Sequence, residues 1–303
     1  MPHTLFRNEG SSSGVAVPKI SVLMPVYNTS EAHLRQAMES ILNQTFTDFE
    51  FLILNDASPD PSVETVIKSY DDPRISYVVN ERNLGISGSR NKLMDMARGE
   101  YFAVMDHDDI SLPERLEKEA AYLDAHPDVG LVCCQVGNIG NSRVTDLPLE
   151  DIALKESLLI DCILVHPACM LRKSILEVHG IRYEAFFSPN EDHALFCRMI
   201  PHTKFAALPD VLFLYRAWEG NTSHCKARQM EAAKYGILEF ARRENPELWA
   251  MSRMFIEERT RIKLFDIFPL FSVRASGRKK VFYLFDLLPL LSFKKRHPKY
   301  RKS

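Results

Sequence analysis

Apolar and polar positions alternate along the chain in two distinct rhythms. ISVLM (20–24), EFLIL (50–54), ISYVV (75–79), YFAVM (101–105) and VGLVCC (129–134) are short, almost unbroken apolar runs rich in β-branched and aromatic residues. Such runs predict strands covered on both faces. Between them, residues 30–44 carry Leu34, Met38, Ile41 and Leu42 at helical spacing, and 61–70, 86–97 and 112–126 read as further helices. Pro61 falls in a first turn, where its missing N–H costs nothing. Ser111 and Glu114 ahead of the fourth helix predict a capping box. Strands alternating with helices predict an α/β fold, a Rossmann-like, mostly parallel sheet with helices on both faces.

The second half continues this core. Residues 165–180 read as a strand then a helix, and 189–200 as a helix opened by Glu191 and Asp192 with Leu195, Phe196 and Met199 inward. Residues 205–224 read as two short strands leading into a polar loop. The Ser/Gly-rich segment 1–17 predicts a loose lead-in without a secretory apolar region, 18–240 the main domain, and 241–303 a helical, amphipathic tail. In that tail KLFDIFPLFSV (263–273) and YLFDLLPLLSF (283–293) repeat at a period of 20.

Charge changes the picture only locally. The net charge of −2 gives no pull toward nucleic acid, yet from residue 274 onward ten Lys or Arg stand against one acid, Asp286. Aromatic-rich apolar segments beside basic clusters suit an element lying in a membrane surface, and their Leu, Phe and Pro content argues against a nucleic-acid tail. No run reaches the roughly 18 apolar residues of a membrane-spanning helix. The six cysteines lack C-x-x-C or zinc spacing and predict reduced thiols. Together these imply a cytoplasmic protein, peripheral on the inner face of the membrane.

Candidate chemistry gathers at strand ends. MDHDD (105–109) sets three acids directly after the fourth strand, PVYN (25–28) follows the first, and NDASPD (55–60) follows the second. In sheets of this kind ligands bind beyond the carboxyl ends of the strands. Crowded carboxylates must rise in pKa or find a cation. A hard divalent ion, Mn²⁺ or Mg²⁺, takes one or two carboxylates plus substrate phosphates, which points to a nucleotide.

These motifs, with NLGISGSRN (83–91) and NED (190–192), follow one another in an order that resembles the family 2 glycosyltransferases of the GT-A fold, over residues 18–224. The resemblance implies an inverting transfer from a nucleotide-diphosphate sugar, expected to be a UDP-sugar, to a glycan or lipid-linked acceptor in cell-surface polysaccharide synthesis. It sets Pro25, Tyr27 and Asn28 at the nucleotide, with the Tyr27 ring against the base and Asp56 at the base edge. Asn83, Arg90 and the neighbouring Asn91 fall near the nucleotide and its phosphates. Asp106 is expected near the ribose or sugar and the metal, Asp108 at the metal, and Asp109 in support, with His107 a spacer. Glu191 borders the donor and Asp192 is the general base. The loop YRAWEGNTSH (215–224) would close over the donor and bring Arg216 and Trp218 to it. Many members carry a histidine where Trp218 stands, so His224 is the candidate replacement as a metal ligand.

Rival readings lack their signatures. No G-x-G-x-x-G follows the first strand, against a dehydrogenase, and no Gly-rich loop stands there for a nucleotidyltransferase. An aspartyl phosphatase would place its acids after the first strand, not the fourth. The non-enzyme alternative, an inactive membrane-attached scaffold, sits poorly with Asp56, Asp106, Asp108 and Asp192 together.

Overall fold

In the computed structural model, which describes residues 17–218, 221, 225–252, 271–276, 279–284 and 288–294, the alternation becomes explicit. It runs β1 (Ile20–Val26), α1 (Glu31–Leu42), β2 (Phe49–Asn55), α2 (Ser62–Lys68), β3 (Ile75–Val79), α3 (Gly85–Met96), β4 (Tyr101–Val104), β5 (Ile110–Ser111), α4 (Arg115–Ala125) and β6 (Val129–Asn138). There follow α5 (Asp151–Leu158), β7 (Cys169–Arg172), α6 (Lys173–Val178), α7 (Glu191–Met199), β8 (Lys204–Tyr215) and α8 (Ala227–Glu244). The chain divides into two compact units, residues 1–238 and 239–303.

The first unit holds one eight-stranded sheet in the order β3-β2-β1-β4-β7-β6-β8-β5. Strands β3, β2, β1 and β4 are parallel, as are β6 and β8. β7 enters antiparallel between β4 and β6, so the fifth predicted strand does not lie beside the fourth. Every residue of β1, β2 and β4 is buried, which is why these strands read as unbroken apolar runs. Leu34, Ala37, Met38 and Ile41 of α1 are buried with them in one core cluster. Each large side chain so buried contributes about 1.5–3 kcal/mol.

A charged residue fixes the end of β4 from beneath. Arg115, fully buried, pairs with Glu119 at 3.1 Å and donates from Nη2 to the carbonyls of Val104 (3.0 Å) and Cys169 (3.2 Å). It joins the last residue of β4 to the first of β7. The loop of acids therefore departs from an anchored point. Burial pushes the Glu119 carboxyl up to about 7 despite the guanidinium.

Three local expectations are corrected. The capping box does not form: α4 begins at Arg115 with no side-chain cap. Ser111 is instead drawn into β5, where it pairs with Phe213 of β8. Gln44, just beyond α1, serves that helix from a distance, its Oε1 accepting from the Leu116 N–H at 3.0 Å and its Nε2 donating to the Leu112 carbonyl at 2.8 Å. Removing this amide strands buried backbone groups, so Gln44→Ala should cost about 1–3 kcal/mol in urea unfolding.

The two strands expected within 205–224 are one strand, β8, which kinks. Its pairing with β6 jumps from Leu208 opposite Cys134 to Val211 opposite Gln135, leaving Pro209 and Asp210 bulged out. Proline cannot donate to the ladder and is accommodated at such a bulge.

The tail is expected to be helical, and residues 241–244 and 246–252 are so. Among the described residues of 271–294 it is instead an antiparallel sheet in the order β11-β10-β9, built from β9 (Phe271–Ser276), β10 (Lys279–Leu284) and β11 (Leu288–Lys294). Val, Phe and Tyr favour a pleated surface over a helix. Pro289 sits in edge strand β11 beside a register shift that skips Leu290, where a missing donor is tolerated. Most of the first repeat, residues 263–270, lies outside the described residues. Among the described residues no helix is long and apolar enough to cross a membrane.

Candidate functional site

The parallel strands bring their carboxyl ends to a common rim. Val26 pairs with Asn55, and β1 pairs with β4 only as far as Leu23 opposite Val104. Pro25 lies two residues past Leu23, on the side of β1 that faces β4, where pairing has stopped and no N–H is needed. The ladder between the two strands ends there. The chain turns sharply after β1 and again after β2: Asn28 has φ 50° and Ala57 φ 55°. Asparagine tolerates this left-handed region, but for alanine it costs about 1 kcal/mol, a strain of the kind that gathers at ligand sites. Tyr27 stands at this rim, 46% exposed.

Asp56 is buried at the start of α3. Its Oδ1 accepts from Asn80 Nδ2 (2.7 Å) and the Leu84 N–H (2.8 Å), and its Oδ2 from the Gly85 N–H (3.0 Å). Gly85 has φ 73°, a conformation that suits glycine, and its N–H also meets Asn83 Oδ1 at 3.0 Å. Asn83 Nδ2 returns to the Asp56 carbonyl at 3.3 Å. Asp56 and Asn83 thus shape the loop between β3 and α3. Asn80 and Lys92, whose Nζ donates to Asn80 Oδ1 at 2.7 Å, belong to the same network and carry no recognisable spacing in sequence.

The three acids after β4 reach three different partners. Asp106 Oδ1 accepts from Arg90 Nη2 at 3.1 Å. Asp108 Oδ2 accepts from the Trp218 indole N–H at 2.6 Å. Asp109, fully buried, accepts the Arg216 backbone N–H on Oδ1 at 2.7 Å. Burial and the neighbouring Asp108 and Asp106 push its carboxyl well above the usual carboxylate range. Both outcomes of crowding occur here: one acid finds a cation, another holds its proton more tightly. His107 Nδ1 is buried and has no partner among the described residues.

Arg90 is the hub. Its side chain, 7% exposed, donates from Nη1 to Glu191 Oε1 at 3.0 Å while Nη2 holds Asp106. It ties the loop after β4 to the first turn of α7. Arg90 Nε and Glu191 Oε2 are both buried without partners among the described residues, so polar capacity remains at the junction. Behind it, Tyr183 lies under the guanidinium, 5.5 Å from its carbon, and meets His166 Nε2 at 2.8 Å. Tyr183 and Asn91 exchange two hydrogen bonds, at 2.8 and 3.0 Å. Burial drives His166 well below its usual pKa, so this imidazole is neutral.

Asp192 is partly exposed beside Glu191. Burial first, then the Glu191 charge, push its carboxyl up to about 6, although Arg90 and the His193 N–H (2.7 Å) oppose the rise. His193 Nε2 meets the Leu158 carbonyl at 2.7 Å and fixes α7 to the end of α5.

After β8 the chain folds back over the acids. Arg216 Nε donates to the Asp108 carbonyl at 2.7 Å and its Nη2 reaches Gln36 of α1. Trp218 stacks edge-on with His33, centroids 5.1 Å apart. His33, Gln36 and Tyr183 are neighbours that no motif predicts, because each comes from an element remote in sequence. His224 lies outside the described residues, as does most of the loop around it.

The family model for glycosyl transferase family 2 matches residues 21–180, more than half of the 303 residues. The chain belongs to glycosyltransferase family 2. An uncharacterized glycosyltransferase of Methanocaldococcus jannaschii is 36% identical over 211 residues, covering 66% of this chain and 71% of that one. The amylovoran biosynthesis glycosyltransferase AmsE of Erwinia amylovora is 28% identical over 204 residues, 65% of this chain and 76% of its own. Among solved structures, S. aureus TarS residues 1–349 in complex with UDP-GlcNAc gives a TM-score of 0.59 at 22% identity, over 67% of this chain and 60% of that one. The Pyrobaculum calidifontis mannosyltransferase PcManGT with GDP-Man and Mn²⁺ gives 0.52 at 16%, over 80% and 75%. These likenesses show the GT-A fold for this glycosyltransferase.

The residues present fit a divalent cation of the kind that completes its shell with phosphate. Among the described residues no group of three His, Cys, Asp or Glu could enclose an ion. Asp106 and Asp108 are nevertheless oxygen donors two residues apart on one loop, and each has only one carboxylate oxygen bonded to the protein among the described residues. Two carboxylates plus a diphosphate is the arrangement Mg²⁺ and Mn²⁺ favour over an all-protein cage.

Proposed function

We propose that the protein is an inverting, metal-dependent glycosyltransferase that moves a sugar from a nucleotide-diphosphate sugar, of which a UDP-sugar is the first to test, to a glycan or lipid-linked acceptor of a surface polysaccharide. The observation that carries the reading is the split in the acids. Asp106 and Asp108 stand at the rim after β4, while Asp192 stands apart on α7 with its carboxyl pushed up to about 6. An inverting displacement needs this separation: one set of oxygens for the leaving diphosphate, one carboxylate across the sugar.

In this reading Tyr27 lies against the base, and Asp56 offers it the one acceptor position its three hydrogen bonds leave. Asp106 and Asp108 would hold Mn²⁺ or Mg²⁺, which would supply positive charge to offset that growing on the departing diphosphate. Arg90 ties Asp106 to Glu191, the neighbour of Asp192 in the first turn of α7. Asp192 takes the proton of the acceptor hydroxyl as its oxygen attacks the anomeric carbon. A carboxyl near 6 is a stronger base than an ordinary aspartate yet is ionised at neutral pH. Activity should therefore fall about tenfold per pH unit below about 6 and level off above it. The basic, aromatic-rich tail would keep the enzyme at an anionic membrane surface where a lipid-linked acceptor resides.

The test is a panel of nucleotide sugars, scored by thermal stabilisation with and without Mn²⁺, on wild type and Asp108→Ala. Wild type should be stabilised in a metal-dependent way by one nucleotide class, and Asp108→Ala should lose that dependence. A chain stabilised by no nucleotide sugar, or equally by all without metal, would not be this enzyme.

A further inference from the structure

We infer that Trp218 caps one of the two carboxylate oxygens of Asp108, so that a cation with its diphosphate engages the whole carboxylate only as the indole is released. The inference rests on the metal reading of Asp108 above.

The indole nitrogen is a donor with no lone pair to offer, so Trp218 cannot itself ligate a cation. Its N–H nevertheless lies 2.6 Å from Asp108 Oδ2, a short, charge-assisted contact. While that bond stands, this oxygen is turned toward the indole and is poorer as a ligand. The contact is built, not incidental. The Trp218 backbone N–H donates to Asn221 Oδ1 at 3.3 Å, and buried Asn221 donates in turn to the Tyr215 hydroxyl (2.9 Å) and the Arg216 carbonyl (2.6 Å). The ring is braced on its other side by His33 of α1, at 5.1 Å and 72°. Arg216 fastens the same segment to Asp108 and Asp109 through its own N–H groups. Strand β8, helix α1 and the loop of acids thus converge to aim one N–H at one carboxylate oxygen.

Two consequences follow. The free enzyme should bind cation weakly, because only one Asp108 oxygen is open and a second ligand bond from this carboxylate replaces an existing hydrogen bond. Nucleotide diphosphate should strengthen that binding, because it supplies oxygens that offset the loss. Trp218 is in this sense a positioning residue: it acts through Asp108 and sets the order in which the site fills.

Trp218 and Trp249 are the two tryptophans of the chain, so Trp249→Phe leaves Trp218 as a lone reporter. In that full-length variant, Mg²⁺ with UDP or GDP should shift the emission of Trp218, whereas nucleotide alone should shift it less. Trp218→Phe keeps a ring against His33 but removes the donor, and should bind Mn²⁺ about tenfold tighter by electron paramagnetic resonance in the absence of nucleotide. Equal or weaker Mn²⁺ binding by a folded Trp218→Phe protein, or a Trp218 emission indifferent to saturating Mg²⁺ and nucleotide, would overturn the cap alone. If neither protein bound Mn²⁺ even with nucleotide, the cation reading of Asp108 would fall and the cap with it.

Discussion

Asp192→Asn should lower kcat by about 10²–10⁴-fold, the contribution of a positioned general base, while leaving donor affinity near that of wild type. The amide keeps the shape and the hydrogen bond from the His193 N–H but cannot accept the acceptor's proton. Initial rates against donor concentration separate the two readouts, and a variant retaining full turnover would remove Asp192 from the mechanism. The same substitution should make the protein more stable at neutral pH. The folded-state carboxyl titrates near 6, above the roughly 4 of an unfolded aspartate, so the native state binds this proton more tightly. Its contribution to stability is complete below about 4 and is lost as pH rises through about 6. Asparagine never acquires the charge and so escapes that loss. Urea midpoints at pH 5 and pH 8 should therefore differ more for wild type than for Asp192→Asn.

Arg90→Gln should be the most damaging single change to stability at the site. Arg90 and Glu191 are buried partners, and Asp106 shares the guanidinium. Removing the cation leaves Glu191 as an uncompensated buried charge, an effect of about 3–5 kcal/mol. A structural loss alone would leave the pH profile of the surviving enzyme unchanged. Arg90 also opposes the rise of the Asp192 carboxyl, so its removal should move the acid limb of activity above about 6. Arg90→Lys keeps the charge but not the two-pronged geometry, and should restore the acid limb more fully than the stability. A profile unmoved in Arg90→Gln would confine Arg90 to a structural role.

The strand ends were legible because buried parallel strands read as unbroken apolar runs, and polar clusters directly after such runs must lie at the rim. The sequence alone therefore puts Tyr27, Asp56 and the acids Asp106, Asp108 and Asp109 on one rim. Arg90 was legible as a neighbour of this site, but not as the bridge between Asp106 and Glu191, since its two partners lie 16 residues after it and 101 residues after it. The fifth strand was legible as a strand but not by its place, because β7 takes its slot from a later segment by a pairing that leaves no local pattern. Ser111 looks like a helix cap but is a strand residue, since its backbone pairs with β8 and its hydroxyl accepts from Gln44.

What the sequence determined by itself was the rhythm of strands and helices, the family, and the set of acids at the rim, because burial period and motif order are local properties of the chain. What only the tertiary structure decided was how those acids share their partners. Asp106 meets Arg90, Asp108 meets Trp218, and Asp109 meets the Arg216 backbone. Those pairings arise from β8, α1 and α3 folding onto one loop, and a contact between elements that far apart in the chain is set by packing, which no local pattern encodes.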